Sequence, residues 1–496
     1  MKEYDLVVIG SGAGLMLIEA ALGSGQRCAL VENGKFGGTC LTRGCIPTKM
    51  MTYPADMVME AAHAGKIGLE FDLKKLDWDA LSKRVWEWID KNHGIEENLE
   101  EVENLTVYKG TGEFTGPRTL RVIYGDGSQS EEFKGKRVAI AAGGRPFIPP
   151  VEGLAETGYI TYESFFGENY PKKPYGSLII VGGGAIGTEF AHIFSAFGTK
   201  VSLVDMQSRL LSTEEEEISG HLEKQFRSRG MDVFTNHKII SAGKVDDGKE
   251  VVLEDLGTGD RKTVRGEEIL MASGIMSNAD KLNVSASLVE TDKKGWIRTN
   301  EFLETSARGV WAIGDINGKF QFRHKANYEA ELVARNLFGG HKTKQAADYT
   351  SVPWAIYTWP QVAHVGMTEK QAVEQGIRIR VGKKHYSSVA KGSSMGYTRG
   401  EGDDGFVKVI ADAQKKIIGM HIIGPHADIL VQAFVYLMNA GYSCKDHSPE
   451  ECSVKKRLNR GFMVNGTVMP IFRSMVIHPS LSELTAWVLG EMEWRE

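Results

Sequence analysis

Two stretches of the chain share one pattern, in which a short apolar run ends in glycines and leads into a helix-like segment. The first stretch joins "DLVVIG" (5–10) to "RCALVE" (27–32), and the second joins "LIIVGG" (178–183) to "KVSLVD" (200–205). Each has the order strand, turn, helix and strand, which is typical of a parallel sheet covered by helices. The repeat predicts an α/β protein with two doubly wound, Rossmann-like nucleotide-binding domains.

The pattern changes twice more along the chain. A third strand-like run, "GVWAIGD" (309–315), precedes a helical stretch, so we expect the chain to return to the first domain. Beyond about Tyr349, "VPWAIYTWPQVAHVG" (352–366) and "DDGFVKVIADAQKKIIGMHIIG" (403–424) alternate like antiparallel strands. "ADILVQAFVYLMNAGYS" (427–443) is apolar at helical spacing. The C-terminal part should therefore form an α+β domain.

These changes divide the chain into four segments. Residues 1–150 are expected to form the first part of one nucleotide-binding domain, and 151–277 to form the second such domain. Residues 278–347 should return to the first domain, and 348–496 should form the C-terminal domain.

Three segments are unusually charged or polar. The acidic runs "EENLEEVENL" (96–105) and "TEEEEISG" (213–220) predict solvated helix faces with no function of their own. The polar segment 444–465 has weak periodicity and is expected to be an inserted excursion.

Composition and charge limit the partners. Hydrophobic residues make up 42% and charged residues 25% of the 496 residues, as in ordinary globular proteins. The net charge of -5 shows no basic excess, so we expect no nucleic-acid partner. No apolar run approaches the roughly 20 residues that cross a bilayer, and "MKEYDLVVIG" enters a strand without room for a signal peptide. We expect a cytoplasmic protein with no membrane partner.

The first glycine turn predicts a dinucleotide site. Gly10, Gly12 and Gly14 follow the first strand, and Glu32 ends the next one. Glycines let a backbone approach a pyrophosphate, the helix N-terminus supplies N–H donors, and the acid can bind ribose hydroxyls. The position of the usual third glycine is Leu15.

The second glycine turn has the complete spacing. It consists of Gly182, Gly184 and Gly187, and Asp205 ends the following strand. An acid at this place favours NAD, because it repels the 2′-phosphate of NADP. Arg209 is the one feature that could favour NADP, although a solvated arginine is the simpler interpretation.

The segment "GGTCLTRGCIPTK" (37–49) contains Cys40 and Cys45. A zinc site would need further paired ligands, and the other cysteines, Cys28, Cys444 and Cys452, offer no second cluster. In a reducing compartment the pair is better explained as a reversible dithiol. Residues five apart on a regular helix rise about 7.5 Å, too far for a disulfide. We therefore expect a distorted segment, with Gly44 and Pro47 as its cause, and an exposed, labile disulfide.

"GGTCLTRGCIPTK" resembles the active-site signature of the FAD-dependent pyridine nucleotide–disulfide oxidoreductases, which include dihydrolipoamide dehydrogenase, glutathione reductase, mercuric reductase and mycothione reductase. The resemblance extends along nearly the whole chain. Its further segments are "VAIAAGGRPFIPP" (138–150), the second glycine turn with Glu189, "TSARGVWAIGD" (305–315) and "HPSLSE" (478–483).

The resemblance implies FAD at the first site, NAD at the second and a homodimer formed by the C-terminal domain. The implied FAD-binding residues are Gly10, Gly12, Gly14, Glu32, Gly38, Thr39, Lys49, Gly112, Ala142, Gly143 and Asp315. The implied NAD-binding residues are Gly182, Gly184, Gly187, Glu189, Asp205 and Gly274.

The resemblance also implies the catalytic roles. Cys45 would face the flavin, beside an ion pair of Lys49 and Glu189, and Cys40 would exchange with the substrate. His478 would be the acid–base group, oriented by Glu483 and supplied by the other subunit. The chemistry agrees, because a thiol becomes a usable thiolate beside a base, and a carboxylate orients that base.

A reaction like that of dihydrolipoamide dehydrogenase is favoured, with a lipoyl group on a carrier protein as the partner. The sequence has no C-terminal cysteine pair, which a mercuric reductase or a large thioredoxin reductase would need. Asp205 argues against the NADPH that glutathione reductases use, although NADP is kept as an alternative cofactor. An NAD(P)H-dependent reductase of a small disulfide is the alternative, because "RHKANYEAELVA" (323–334) resembles mycothione reductase. A flavin redox sensor or electron-transfer protein without a thiol substrate is the second alternative. Arg43, between the cysteines, could lower a thiol pKa or attract an acidic substrate, although a solvent-facing arginine is the simpler interpretation.

Overall fold

The computed structural model describes residues 1–91, 94–413, 416–439 and 473–478. Within these ranges no helix combines the length and the apolar character needed to cross a membrane. The α/β class, with Rossmann-like sheets and a C-terminal α+β part, is confirmed.

The first strand–helix–strand unit builds a mainly parallel sheet. Its strands are β1 (Lys2–Ile9), β2 (Cys28–Glu32), β3 (Leu105–Lys109), β4 (Thr111–Gly116), β5 (Thr119–Ile123) and β6 (Phe133–Ile140). The short strand β7 (Gly144–Pro146) lies outside this sheet and pairs with β15 (Ile275–Ser277). Its helices are α1 (Gly14–Gly23), α2 (Gly38–Thr42), α3 (Cys45–His63), α4 (Trp78–Lys91) and α5 (Gly94–Glu100). Strands β3, β2, β1 and β6 are parallel neighbours, and β5 and β4 continue the sheet in antiparallel fashion. Every residue of β2 is buried, as expected of a parallel strand covered on both faces.

The second unit repeats this order and adds an antiparallel sheet. Its strands are β8 (Ser177–Val181), β9 (Lys200–Val204), β10 (Asp232–Phe234), β11 (His237–Val245), β12 (Gly248–Asp255), β13 (Arg261–Gly266), β14 (Glu268–Met271) and β15 (Ile275–Ser277). Its helices are α6 (Leu154–Thr157), α7 (Tyr162–Phe165), α8 (Ala185–Ala196) and α9 (Glu216–Ser228). Strands β10, β9, β8 and β14 form the parallel sheet, and β11 to β13 form the antiparallel one.

The chain then adds a strand to the first sheet. Strand β16 (Val310–Ala312) pairs in parallel with β6, with Val310 opposite Val138. Helix α10 (Arg323–Phe338) follows, and its buried face joins the core that also contains α1. Residues more than 170 positions apart thus share one sheet.

The C-terminal part is an antiparallel sheet covered by a helix. Its strands are β17 (Pro353–Ile356), β18 (Val362–Gly366), β19 (Ile379–His385), β20 (Phe406–Asp412) and β21 (Ile417–Ile423). Its helices are α11 (Glu369–Glu374), α12 (Ala390–Ser394) and α13 (Ala427–Asn439). The strand order is β17, β18, β21, β20, β19. Helix α13 packs on this sheet through Ala427, Val431 and Val435, spaced one turn apart. The predicted excursion 444–465 lies outside the described residues.

The interpretation of "TEEEEISG" as a solvated helix face is wrong for Glu214 and Glu215. Glu214 and Glu215 precede α9 and are only 1% and 5% exposed, whereas Glu216 and Glu217 begin the helix and face solvent. Glu215 accepts a hydrogen bond from Lys408 of β20 at 2.7 Å. A buried carboxylate needs such a partner, and this one comes from a strand 193 residues away. The other acidic run, 96–105, is largely exposed, as expected.

Candidate functional site

The two cysteines of "GGTCLTRGCIPTK" lie on either side of a break between helices. Cys40 is in α2, and Cys45 is the first residue of α3. The break falls at Arg43 and at Gly44, whose φ and ψ are -136° and -114°. Pro47 does not cause the break, because it lies in the first turn of α3, where a missing N–H is tolerated. The helix is therefore interrupted between Cys40 and Cys45, as a disulfide between residues five apart requires.

Cys40 and Cys45 are unbonded thiols with opposite pKa shifts. The hydrogen bond between them and burial raise the pKa of Cys40. The same hydrogen bond lowers the pKa of Cys45, helped by the charges of Lys49 and His478 and opposed by burial. Cys45 is thus the thiol that ionises first. The expectation of an exposed pair is wrong for Cys40, which is only 7% exposed.

An ion pair links the cysteine helix to the second unit. Nζ of Lys49 on α3 donates to both carboxylate oxygens of Glu189 on α8, at 2.8 and 2.7 Å. Glu189 also accepts the N–H of Tyr357 at 3.0 Å. The Lys49 ammonium lies 4.6 Å from the centre of the Tyr357 ring. Three separate segments of the chain therefore hold the ammonium beside the thiols.

The first glycine turn is closely packed. Gly10 has φ of 103°, and a Cβ there would lie 2.3 Å from the Ala141 carbonyl oxygen. A Cβ on Gly14 would lie 2.6 Å from Val8, so Gly14 permits the close helix–strand contact that a glycine at position 15 usually provides. Glu32 accepts hydrogen bonds from the Ser11 N–H at 2.7 Å and the Ser11 hydroxyl at 2.6 Å.

The second glycine turn has the same construction. A Cβ on Gly182 would lie 2.1 Å from the Ala272 carbonyl oxygen. A Cβ on Gly187 would lie 1.8 Å from the Gly182 carbonyl oxygen. Asp205 accepts the Gly183 N–H at 2.6 Å, and burial raises the pKa of its carboxyl group. Turn, helix and acid are therefore arranged as dinucleotide binding requires.

One cavity of about 1100 Å³ joins these parts. This volume is slightly above the range of about 300–1,000 Å³ that is usual for ligand sites. Of the residues implied for FAD, its lining includes Gly10, Gly12, Glu32, Gly38, Thr39, Lys49, Gly112, Ala142, Gly143 and Asp315. Of those implied for NAD, it includes Gly184, Glu189 and Gly274. The residues that do not line it are Gly14, Gly182, Gly187 and Asp205.

The cavity wall carries further titratable groups. Burial raises the pKa of Asp315 to about 6. His478 lies on the wall with the cysteines of the same chain, whereas the resemblance implies a histidine from the other subunit. Glu483 lies outside the described residues.

Arg43 points toward a carboxylate. Its Nε lies 3.7 Å from Oε1 of Glu163, and its side chain is one-third exposed. Both residues line the cavity. The charges that lower the Cys45 pKa belong to Lys49 and His478. Arg43 thus lies on the cavity wall, paired with Glu163.

Sequence patterns did not indicate the aromatic residues of the wall, among them Tyr162, Trp354 and Tyr357. Tyr162 begins α7, and Trp354 lies in β17. The alternation of β17 predicted a strand but could not indicate which residues face a site built by other segments.

Comparison with known proteins defines the class. The family model "Pyridine nucleotide-disulphide oxidoreductase" matches residues 4–330, and its dimerisation domain matches 352–452. Mycothione reductase of Mycobacterium tuberculosis (strain ATCC 25618 / H37Rv) is 33% identical over 456 residues, covering 90% of this chain and 95% of the relative. Dihydrolipoyl dehydrogenase of Bacillus subtilis (strain 168) is 32% identical over 440 residues, covering 86% and 90%. The HOCl-induced flavoprotein disulfide reductase RclA from Escherichia coli superimposes with a TM-score of 0.75 at 25% identity, covering 97% and 98%.

The chain therefore belongs to the pyridine nucleotide–disulphide oxidoreductase family. It is an FAD-dependent disulfide oxidoreductase that uses a nicotinamide nucleotide, and its dimerisation domain supports a homodimer. The site fits the flavin nucleotide, because a Cβ on Gly38 would lie 2.7 Å from Cα of Gly12. Glycine at positions 12 and 38 lets the two backbone segments lie this close together and leaves their N–H groups accessible to a phosphate beside the N-terminus of α1.

Proposed function

We propose that this enzyme transfers electrons from dihydrolipoamide to NAD+ through Cys40, Cys45 and FAD. The observation that supports the proposal is the pair of thiols with opposite pKa shifts in one cavity with both glycine turns. A lipoyl group on a carrier protein would be the physiological partner, in the cytoplasm. FAD, when bound, accepts the electron pair from the dithiol and passes it as a hydride to NAD+.

The exchange begins with Cys40 and Cys45 joined in a disulfide. A substrate thiolate attacks Sγ of Cys40, the bond between the two cysteines breaks, and Cys45 leaves as a thiolate. The second substrate thiolate attacks the substrate sulfur of this mixed disulfide, so that the cyclic disulfide is released and Cys40 leaves. Of the two substrate protons, one ends on Cys40 and the other is released through His478.

The chain's residues favour this course of proton transfer. The hydrogen bond from Cys40 and the Lys49 charge stabilise the Cys45 thiolate that must form. The raised pKa of Cys40 favours its return to the thiol. We assign His478 the acid–base role, with Glu483 as its orienting carboxylate.

The nucleotide preference is proposed to be NAD. Asp205 would repel a 2′-phosphate, and Arg209 is engaged elsewhere. Arg209 donates to Glu216 at 2.8 Å and to the Ser212 carbonyl oxygen at 2.9 Å. These bonds would have to break before Arg209 could bind a phosphate.

A reductase of a small disulfide is the second candidate. The cavity wall carries Arg43, Glu163 and Arg323, which suit a charged ligand better than the neutral lipoamide ring. The 33% identity with mycothione reductase also supports this candidate. A flavin redox sensor without a thiol substrate is less well supported, because it needs no such thiol pair.

Steady-state assays with both substrate classes test the proposal. We expect NAD+ reduction with dihydrolipoamide to exceed, in kcat/KM, the NADH-dependent reduction of small disulfides. Turnover with a small disulfide and none with dihydrolipoamide would favour the second candidate. No turnover with either class, in enzyme that retains FAD, would favour the sensor.

A further inference from the structure

Glu214 lies where the second nucleotide-binding unit meets the C-terminal sheet. Its side chain has no exposed surface, although it belongs to an acidic run. It faces His364 on β18 and His421 on β21, which are directly opposite each other in the antiparallel pair. The carboxylate of one unit thus meets two imidazoles of the other.

The three side chains converge on one point. Nδ1 of His364 lies 2.8 Å from Oε1 of Glu214, and Nδ1 of His421 lies 3.5 Å from Oε2. Among the described residues, these form the one group of three such side chains whose ligand atoms all lie within 4.8 Å of one another. Ligands at 2.0–2.2 Å from a tetrahedral zinc ion are roughly 3.3 Å apart. Small side-chain movements would therefore complete the spacing, with the ion replacing the hydrogen bond between Nδ1 of His364 and Glu214.

Two buried polar atoms of the cluster, Nδ1 of His421 and Oε2 of Glu214, face each other. Nε2 of His421 lies 3.0 Å from the Met367 carbonyl oxygen, so this nitrogen must carry the hydrogen and donate it. Nδ1 then faces Oε2 of Glu214 at 3.5 Å, and in the neutral ring, which is the form that binds a metal, it presents a lone pair to that oxygen. Both atoms are buried, and neither has a hydrogen-bond partner. A cation bound between them would satisfy both atoms.

The surroundings resemble those of ligating side chains in metal sites. A ligating imidazole usually donates its other N–H to a carbonyl or carboxylate, as His421 does to Met367. Trp354 donates its indole N–H to Oε1 of Glu214, which orients the carboxylate. The Trp354 ring also contacts that of His364, with 4.3 Å between the ring centres.

We propose that Glu214, His364 and His421 bind one divalent transition-metal ion, Zn2+ by its ligand preference, which holds the C-terminal sheet against the second nucleotide-binding unit. Two imidazoles and one carboxylate are a known zinc ligand set, and the fourth position is left to water. The ion is separate from the thiol pair, and Trp354, which also lines the redox cavity, connects the two sites.

Zinc binding is measured on untagged, full-length holoenzyme carrying Cys40→Ser and Cys45→Ser, because thiolates would otherwise bind zinc themselves. After dialysis against a chelator, the protein is titrated with Zn2+ and the bound metal is determined by calorimetry and elemental analysis. We expect one bound zinc ion whose affinity falls at least about 100-fold in Glu214→Gln and in His364→Asn, because loss of an outer-shell partner alone costs about 10–100-fold and each variant loses a ligand. Zn2+ should also raise the melting temperature of the parent but not of Glu214→Gln.

His237→Asn is the matched control, because His237 also faces a carboxylate, Asp255 at 3.8 Å, but belongs to no such group of three in the part of the chain that the structure describes. It should bind Zn2+ like the parent. The His364 side chain is 12% exposed, whereas that of Glu214 is fully buried, so His364→Asn is less disruptive to folding. It replaces Glu214→Gln as the test variant if Glu214→Gln does not fold. The proposal is overturned if the parent takes up no zinc, or if a folded Glu214→Gln or His364→Asn binds zinc as tightly as the parent.

Discussion

The ammonium of Lys49 lies within 2.8 Å of both carboxylate oxygens of Glu189, and this ion pair joins the helix that begins with Cys45 to the helix of the second glycine turn. Both side chains are largely buried, at 21% and 10% exposure. The pair places a fixed positive charge beside the thiol that ionises first. One contact therefore links the helix that carries Cys45 to the helix of the second glycine turn.

Replacing Lys49 by methionine should raise the pKa of Cys45, because the Lys49 charge lowers it in the wild type. The thiolate forms above its pKa, so the variant needs a higher pH to form it. The measurement is a pH titration of the long-wavelength absorbance of the two-electron-reduced enzyme. Lys66→Met is the control, because Lys66 pairs with Glu401 and Asp403 on the surface. An unchanged midpoint in Lys49→Met would remove Lys49 from this role.

His478→Gln should slow thiol exchange by about 10²–10⁴-fold, as expected for loss of a general acid–base group. Its FAD content should be unchanged, because glutamine removes only the titrating group. Stopped-flow reduction by dihydrolipoamide measures the exchange step. A wild-type rate would rule out the assigned role.

Mixed dimers identify the subunit that supplies the histidine. A dimer of one Cys45→Ser subunit and one His478→Gln subunit holds one intact site only if Cys45 and His478 come from different subunits. Because the dimerisation domain supports a homodimer and the resemblance implies a shared site, we expect about half of the wild-type activity. If the mixed dimer is as inactive as its parents, His478 acts within its own chain, where the structure places it.

Glu216→Gln should improve the use of NADP+, because it weakens the hydrogen bond that holds Arg209. Asp205→Ser should act in the same direction by removing the carboxylate that would repel a 2′-phosphate. We expect the ratio of kcat/KM for NAD+ over NADP+ to fall in both variants, most in the double variant. A ratio unchanged in the double variant would mean that neither residue sets the preference.

Lys325→Met should strongly destabilise the protein, because Lys325 and Glu329 form an ion pair with no exposed side-chain surface. Removing one partner of a buried pair typically costs about 3–5 kcal/mol. The midpoint of urea unfolding of the holoenzyme measures the effect. Lys83→Met is the matched control, because Lys83 and Glu87 form an exposed pair with the same spacing, worth about 0.5 kcal/mol or less. Similar midpoints for the two variants would contradict this account.

Local patterns predicted the parts of the fold that depend on neighbouring residues. Apolar runs ending in Gly10 and Gly182 indicated the two strand–helix–strand units, because the turn needs glycine and the parallel strands need burial. The return of the chain at Val310 was also visible as a strand-like run.

Features that depend on distant partners were not predictable in this way. The burial of Glu214 depends on His364 and His421, which are about 150 and 200 positions away. Similarly, the interaction of Arg43 with Glu163 depends on how the second unit packs against the first. A local charge pattern contains no information about such contacts.

The central claim is that electrons pass through the dithiol of Cys40 and Cys45, and anaerobic titration of the oxidised enzyme with a reductant tests it most directly. Because the disulfide and the flavin each take two electrons, the wild type should consume about two equivalents per FAD. A long-wavelength absorbance from the Cys45 thiolate should appear after the first equivalent. Cys45→Ser should consume about one equivalent and show no such band. A wild type that takes up one equivalent without the band would contradict the account.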